Sequence, residues 1–324
     1  QAIAHFSNVL QHNPNSAAAS AGLSLAFALR YLGNGRDDTW LQRADASAQQ
    51  ALALDNQLAL AHVANAYVLE FQGKQEQALT ALAAALNLDP HNLLGLAGKA
   101  RLLIRAQKFD LAKAVLDTAI AQYPGERLFP LLIGTMLYRQ GNYVDAELAF
   151  RKSIELDPQA VTAYGYLNAV LLRQNRNDEA LRVLQQGLQF QPHWELYNNL
   201  GTSLFAKGDY LGAVQAFEKA VHSSKGNPNS YELWANLADA QRWIPAQQKG
   251  SQESYQRAID LLTPLLTRMP NDATLNSRMA LYCAYVGAKK EALSKARSAL
   301  LIAPALPDIQ FRAALTHELI GDSN

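Results

Sequence analysis

Gly134–Pro158, GTMLYRQGNYVDAELAFRKSIELDP, holds the end of one helical pattern, a tight turn and a complete second helical pattern. Gly141-Asn142 separates the two, because glycine tolerates the left-handed conformation that ends a helix. Ala146, Phe150 and Ile154 then recur every four residues and make one apolar stripe. The small Ala146 allows a close approach of the two helices, and Phe150 fills the space beside it. Pro158 ends the second pattern, since proline has no amide hydrogen and clashes with the preceding turn. A single hairpin of this kind cannot bury its own stripe, so neighbours must stack on it.

The neighbours are present at a fixed period. Prolines stand at 90, 124, 158 and 192, with Asn56 in the same register one period earlier, and Pro270 and Pro304 form a further pair 34 residues apart. The small residue of the second helix recurs as Ala78, Ala112, Ala146, Ala180, Ala213 and Ala292. The bulky residue four positions later recurs as Leu82, Leu116, Phe150, Leu184 and Phe217. In the first helices a Leu-Gly-like pair appears as Ile133-Gly134, Leu200-Gly201 and Leu237-Ala238. Period and positions together resemble tetratricopeptide repeats over nearly the whole chain. The resemblance implies an all-α fold, a right-handed superhelical solenoid of antiparallel helix pairs with about 18 helices.

Taken in order, residues 1–14 are the second half of a repeat. Complete repeats are expected near 17–56, 59–90, 93–124, 127–158, 161–192, 194–228, 231–270 and 273–304, and residues 307–324 give a final first helix. Two of them are irregular. Tyr31–Trp40, with GNGRDD, stretches the turn of the 17–56 repeat. Trp243-Ile244-Pro245 and the polar AQQKGS stretch that of the 231–270 repeat, so irregular turns are expected near 31–40 and 244–251. Pro264 predicts a kink or break in the helix that follows. Both ends are half repeats, and Phe311, Ala314, Leu315 and Leu319 leave an apolar face without a partner, where natural arrays close with polar caps. With Gln1 in first place, the expectation is a fragment of a longer protein.

The formal net charge of +1, from 29 basic and 28 acidic residues, offers no electrostatic case for nucleic acid. No run of apolar residues is long enough to span a membrane. The single cysteine, Cys283, falls at a packing position, which excludes a disulfide framework and predicts a buried thiol. There is no phosphate-binding GxxxxGK[ST] loop, HExxH or GxSxG, and no two of the seven histidines share a helix face at ligand spacing. These absences argue against an enzyme within this chain, and no cofactor or metal is implied. The 25 Gln and 20 Asn beside 18% charged residues make a polar, weakly charged surface that leans towards an exported protein.

The resemblance implies that positions 2, 5, 9, 12 and 13 of each repeat line an inner groove. They give Tyr67 and Phe71 in one repeat, Arg101 and Arg105 in the next, then Tyr138 and Arg139, then Arg173, and finally Asn198, Thr202 and Phe205. Arg105, Arg139 and Arg173 fall one 34-residue period apart and predict a ladder of guanidinium groups beside aromatic rings. Arginine forks bind carboxylates bidentately and stack on aromatics, so the ladder suits a peptide with acidic and apolar residues. An alternative role for the same arginines is to complement the helix dipoles at first-helix ends. The Lys and Asn of the family's two-carboxylate clamp are absent at positions 5 and 9, which read Val63 and Tyr67, Ala97 and Arg101, Leu131 and Thr135, and Gly165 and Ala169.

NLADAQRWIPAQQKGSQESYQRAIDLL (Asn236–Leu262) and FRAALTHELIGD (Phe311–Asp322) resemble segments of the tetratricopeptide regions of bacterial Ser/Thr protein kinases, winged-helix regulators and cyclases. That resemblance implies a sensor or interaction region attached to a signalling output. Trp243 is expected to plug the insertion onto its helix. The second function class is an assembly scaffold or dimerisation module, a homo-oligomer in which the ends or the convex face make the contacts.

Overall fold

The computed structural model describes residues 1–33 and 37–321. Among them the chain forms eighteen α-helices and one 3₁₀ turn, with no strand. It divides into two compact units, residues 1–174 and 175–324. The boundary lies inside the repeat expected over 161–192.

The first unit runs α1 (Ala2–His12), α2 (Ala17–Gly33), α3 (Asp38–Leu54), α4 (Ala59–Phe71), α5 (Gln75–Leu88), α6 (Leu93–Arg105), α7 (Phe109–Gln122), α8 (Leu128–Arg139), α9 (Tyr143–Leu156) and α10 (Val161–Arg173). The second runs α11 (Asn177–Phe190), α12 (Trp194–Ala206), α13 (Tyr210–His222), α14 (Tyr231–Arg242), α15 (Gln248–Arg268), α16 (Ala273–Tyr285), α17 (Lys289–Ile302) and α18 (Pro307–Ile320). Each unit is a stack of antiparallel helix hairpins, the all-α tetratricopeptide fold expected from the period.

The alternation of small and bulky residues is what closes each hairpin. Ala78, Ala112, Ala146, Ala180, Ala213 and Ala292 are fully buried, and so are Leu82, Leu116, Phe150, Leu184 and Phe217. Gly134 on α8 faces the Phe150 ring so closely that an added Cβ would lie 2.6 Å from it, and Gly201 on α12 stands in the same relation to Phe217. A phenylalanine ring at this place in one helix thus demands glycine in the other.

The turns inside the hairpins share one geometry. A residue with positive φ follows α4, α6, α8, α10, α12 and α16: Gly73, Gln107, Gly141, Asn175, Gly208 and Gly287, whereas α14 leads into its insertion through Trp243 and Ile244 at negative φ. Within this row the next amide reaches back five residues, as from Lys74 to the Leu69 carbonyl and from Lys108 to that of Leu103. This pattern satisfies the orphan carbonyls of a helix end. Gln107 adopts it with a side chain that ordinarily avoids it, and Asn175 with one of the few that tolerate it.

Both expected irregular turns are more helical than their composition suggested. In the second, Pro245–Gln247 is a 3₁₀ turn and α15 already begins at Gln248, taking in Lys249, Gly250 and Ser251. The polar run is helical because its small residues face α14: Ser251 donates to the Ala238 carbonyl and Ser254 to the Gln241 side chain, each at 2.8 Å. Pro264 does not end α15, which continues to Arg268. Pro264 and Asp260, whose carbonyl would have received the missing N–H, are both on the exposed side. In the first irregular turn, α2 extends to Gly33 and α3 starts at Asp38, with the Asp37 carboxylate accepting from the Thr39 amide. Asn34, Gly35 and Arg36 lie outside the described residues.

α18 buries Ile309, Ala313, Thr316 and Ile320, while Phe311, Ala314 and Leu319 are exposed and Leu315 is half-buried. Asp322, the expected start of a further turn, lies outside the described residues. Cys283 is buried among Tyr282, Met279 and their neighbours, and burial pushes its thiol up to about 12.

Candidate functional site

Arg105, Arg139 and Arg173 are the last residues of α6, α8 and α10. The hairpin period that repeats the turn therefore repeats the cation, and each guanidinium leaves a helix end where positive charge is favoured. All three are exposed.

The rungs differ in what surrounds them. On α4, Glu70 is nearly buried, its side chain 2% exposed, and it pairs with two arginines of α6. Arg101 reaches its carboxylate through two N–H groups, at 2.6 and 3.3 Å, and Arg105 through one at 2.9 Å. Arg101 also stacks on Tyr67, its guanidinium carbon 4.6 Å from the ring centroid, and lies 3.3 Å from the Tyr67 hydroxyl. Burial works against charge on Arg101, but Tyr67 and the Glu70 carboxylate outweigh it and hold its pKa above the usual range. Phe71 meets Tyr67 edge-on at 6.4 Å and Tyr31 at 5.7 Å, which rigidifies the ring that carries Arg101.

The next two rungs are open. Among the described residues Arg139 makes no ion pair or hydrogen bond. Arg173 comes within 3.5 Å of the Tyr138 hydroxyl, which raises its pKa. Tyr138 in turn packs against Tyr143 at 5.5 Å and Tyr166 at 6.5 Å. The expected site residues of the first unit thus form a closed half, Tyr67, Phe71, Arg101 and Arg105 around Glu70, and an open half, Tyr138, Arg139 and Arg173.

In the second unit the Asn198 side chain accepts from Asn236 at 2.8 Å, which ties α12 to α14, and Thr202 donates to the Asn198 carbonyl of its own helix at 3.0 Å. Phe205 meets Tyr210 edge-on at 5.3 Å. Tyr210 stacks in parallel on Trp243, at 5.0 Å. Trp243 is 53% exposed, so it does not plug the insertion as expected: the insertion is held by Ser251 and Ser254 instead.

Three groups the sequence reading passed over belong here. Arg242, beside Trp243, lies 4.6 Å over the Tyr285 ring. Asp239 accepts a short hydrogen bond from the Tyr255 hydroxyl, and burial raises its pKa, opposed by that bond and by the charge of Arg242. Glu70 completes the list in the other unit. The signal for Asp239, Arg242, Trp243 and Tyr285 was available, since positions 9, 12 and 13 continue into the later repeats. A cleft of about 340 Å³ among α13, α14 and α15, lined by Glu218, His222, Trp234, Gln241, Glu253 and Arg257, had no sequence signal. Among the described residues no three His, Cys, Asp or Glu side chains converge as a metal site requires, and no helix is long and apolar enough to cross a membrane.

Residues 97–161 and 170–241 match the tetratricopeptide-repeat family model. Among curated proteins the chain is 24% identical over 172 residues to tetratricopeptide repeat protein 33 of Mus musculus, covering 52% of this chain and 64% of that protein. It is 27% identical over 163 residues to the STIP1 homolog of Dictyostelium discoideum, covering 48% and 27%. It is 28% identical over 110 residues to the Hsp70-Hsp90 organizing protein of Triticum aestivum, covering 34% and 18%. The chain spans less than two thirds of the length of each of these relatives. Among solved structures, yeast Tom70 superposes with a TM-score of 0.63 at 17% identity, over 92% of this chain and 64% of that one. The human IFIT1 dimer with PPP-AAAA gives 0.61 at 19%, over 93% and 67%. At such identities the likeness is one of fold. With the match to the repeat model over part of the chain, it shows the tetratricopeptide type of helical fold, and the relatives indicate a protein-interaction module.

Proposed function

We propose that this chain is a non-catalytic recognition module that binds a protein or peptide segment along its first helices, as the sensor or interaction region of a bacterial signalling protein. The observation that carries the reading is the open half of the arginine ladder. Arg139 and Arg173 are exposed cations at successive helix ends, with the Tyr138 ring beside them. Two forks one repeat apart suit successive carboxylates of an extended or helical segment, and the ring supplies an apolar contact. The closed half gives the ladder a fixed end, because Arg101 and Arg105 are already held by Glu70.

The signalling part of the reading is supported by the likeness of Asn236–Leu262 and Phe311–Asp322 to tetratricopeptide regions of bacterial kinases and regulators. A name such as Hsp70-Hsp90 organizing protein supports binding of a protein partner, and the missing clamp residues argue for a different peptide chemistry from that of a C-terminal chaperone tail.

The test is retention of partners from bacterial envelope and cytosolic extracts, beside a variant in which Arg105, Arg139 and Arg173 are all alanine. A protein held by the wild type and lost by the variant is expected, and its origin in the envelope fraction would support a periplasmic sensor. Equal retention by both would remove the ladder from the binding site. The variant should fold like the wild type and melt only slightly lower, because Arg139 and Arg173 are exposed and Glu70 keeps Arg101 when Arg105 is lost.

A further inference from the structure

We infer that Arg242, Trp243, Tyr210 and Tyr285 form a separate recognition site in the second unit, which takes an acidic peptide segment whose carboxylate adjoins an apolar or aromatic side chain. The inference extends the recognition reading above, but it uses other residues in another unit, so the two can fail separately.

Trp243 is the first ground. It follows α14 directly, is half exposed, and presents a ring already fixed in parallel on Tyr210, with 10° between the planes. Phe205 braces Tyr210 from the side. A large indole held rigid and left in solvent is costly for a fold and suited to binding, because little further freedom is lost when a partner covers it.

Arg242 is the second ground. Its guanidinium lies over Tyr285 at 4.6 Å and near Trp243 at 5.8 Å, and Tyr285 is itself stacked on the buried Tyr255, at 4.6 Å. A guanidinium carried on ring faces keeps its in-plane N–H donors available for a carboxylate. Within ion-pair distance the described residues supply none, and the nearby Asp239 acts on it only at longer range. Among the described residues Arg242 has no ion-pair partner, since Asp239 is engaged by Tyr255, and Glu232 lies against the other nearby arginine, Arg278. Charge complementarity therefore calls for an external carboxylate, and the Trp243 face calls for an apolar group beside it. A stacked base with its phosphate on Arg242 fits less well: a single free cation flanked by Asp239 lacks the positive track that nucleic acid requires.

The experiment is fluorescence anisotropy with the whole chain and three labelled probes: a peptide alternating glutamate and phenylalanine, one alternating lysine and phenylalanine, and an oligothymidylate. The acidic peptide should bind, and Arg242→Gln and Trp243→Ala should each weaken it by roughly tenfold or more, as truncation of a central interface residue does. Trp243→Phe should recover most of the affinity, and its melt matched to wild type separates lost contact from lost fold. The triple alanine variant of Arg105, Arg139 and Arg173 should retain the component of binding that Arg242→Gln and Trp243→Ala remove. No binding of the acidic peptide, equal affinity in Arg242→Gln, or preference for the oligothymidylate or lysine peptide would overturn the site. Binding lost in the triple variant but kept in Trp243→Ala would move recognition to the ladder and leave only the earlier reading standing.

Discussion

The two units solve the same problem differently at the ends of their first helices. In the first unit three successive first helices, α6, α8 and α10, each end on an arginine. Glu70 neutralises the first pair, leaving Arg139 and Arg173 exposed. In the second unit the period is broken by the longer α15, and Arg242, at the end of the α14 that precedes it, is carried on aromatic rings with no carboxylate within ion-pair distance. Regular repetition yields a row of similar groups whose spacing is set by the backbone. An insertion yields a single composite patch, because neighbouring helices no longer offer equivalent positions.

Beneath that difference lies a shared joint, Gly134 with Phe150 in one unit and Gly201 with Phe217 in the other. Phe150→Ala and Phe217→Ala should each cost about 3–5 kcal/mol, since glycine opposite the ring cannot fill the cavity. Urea unfolding, with hydrogen exchange to locate the loss, would check this. A clearly smaller loss for one of them would show that the joints are not equivalent.

Glu70 sharpens the contrast at the surface. Glu70→Ala leaves Arg101 and Arg105 facing one another beside Tyr67, and with both arginines partly exposed the cost should be about 1–3 kcal/mol. Glu70→Gln should fall between the variant and the wild type in a thermal melt, because it keeps an acceptor and loses the charge. A loss no greater than that of an ordinary surface substitution would make the closed half of the ladder a surface accident.

Asp239 should respond in the opposite sense. Its pKa is raised in the fold above the 3.8 of a free side chain, chiefly by burial. A raised native pKa means that the fold holds the proton more tightly than the unfolded chain does. The stability contributed is then fully present below pH 3.8 and is lost as pH rises through the native pKa. Asp239→Asn keeps the oxygen that Tyr255 donates to and removes the charge. It should melt above the wild type at pH 7, with the difference closing as pH falls. A variant that melts lower at pH 7 would mean that the charge of Arg242 dominates over burial.

The sequence carried the fold because its determinants repeat. Ala146 and Phe150 recur at a fixed period, and a single reading of the joint applies to every hairpin. It carried the arginine row for the same reason. What it could not carry were features set by side chains meeting across helices. Nothing in the spacing of Glu70 and Arg101 says that one carboxylate will hold two arginines. Gly250 and the polar residues around it suggested a loop, yet Ser251 and Ser254 find acceptors on α14 and the helix forms. Trp243 was expected inside on hydrophobicity alone, whereas Tyr210 offers it a stacking partner at the surface.

The turn register gives the smallest test, and one in which composition misleads while position does not. Gly73 and Gly141 mark the left-handed position, so residues 107 and 175 must share it although they are Gln and Asn. Asparagine tolerates this conformation through its short polar side chain, whereas Gln107 pays a steric cost of about 1–2 kcal/mol. Glycine removes that cost and gives back part of it as unfolded-state entropy. Gln107→Gly should therefore stabilise the first unit by about 0.5–1 kcal/mol, and Gly141→Ala should destabilise it by a similar amount. Asn175→Gly, at the same position in the last turn before α11, should change less than Gln107→Gly. Denaturant midpoints at constant slope would measure all three. A destabilised Gln107→Gly would mean that the side chain contributes contacts worth more than the strain, and the turns would then be similar in backbone but not in what holds them.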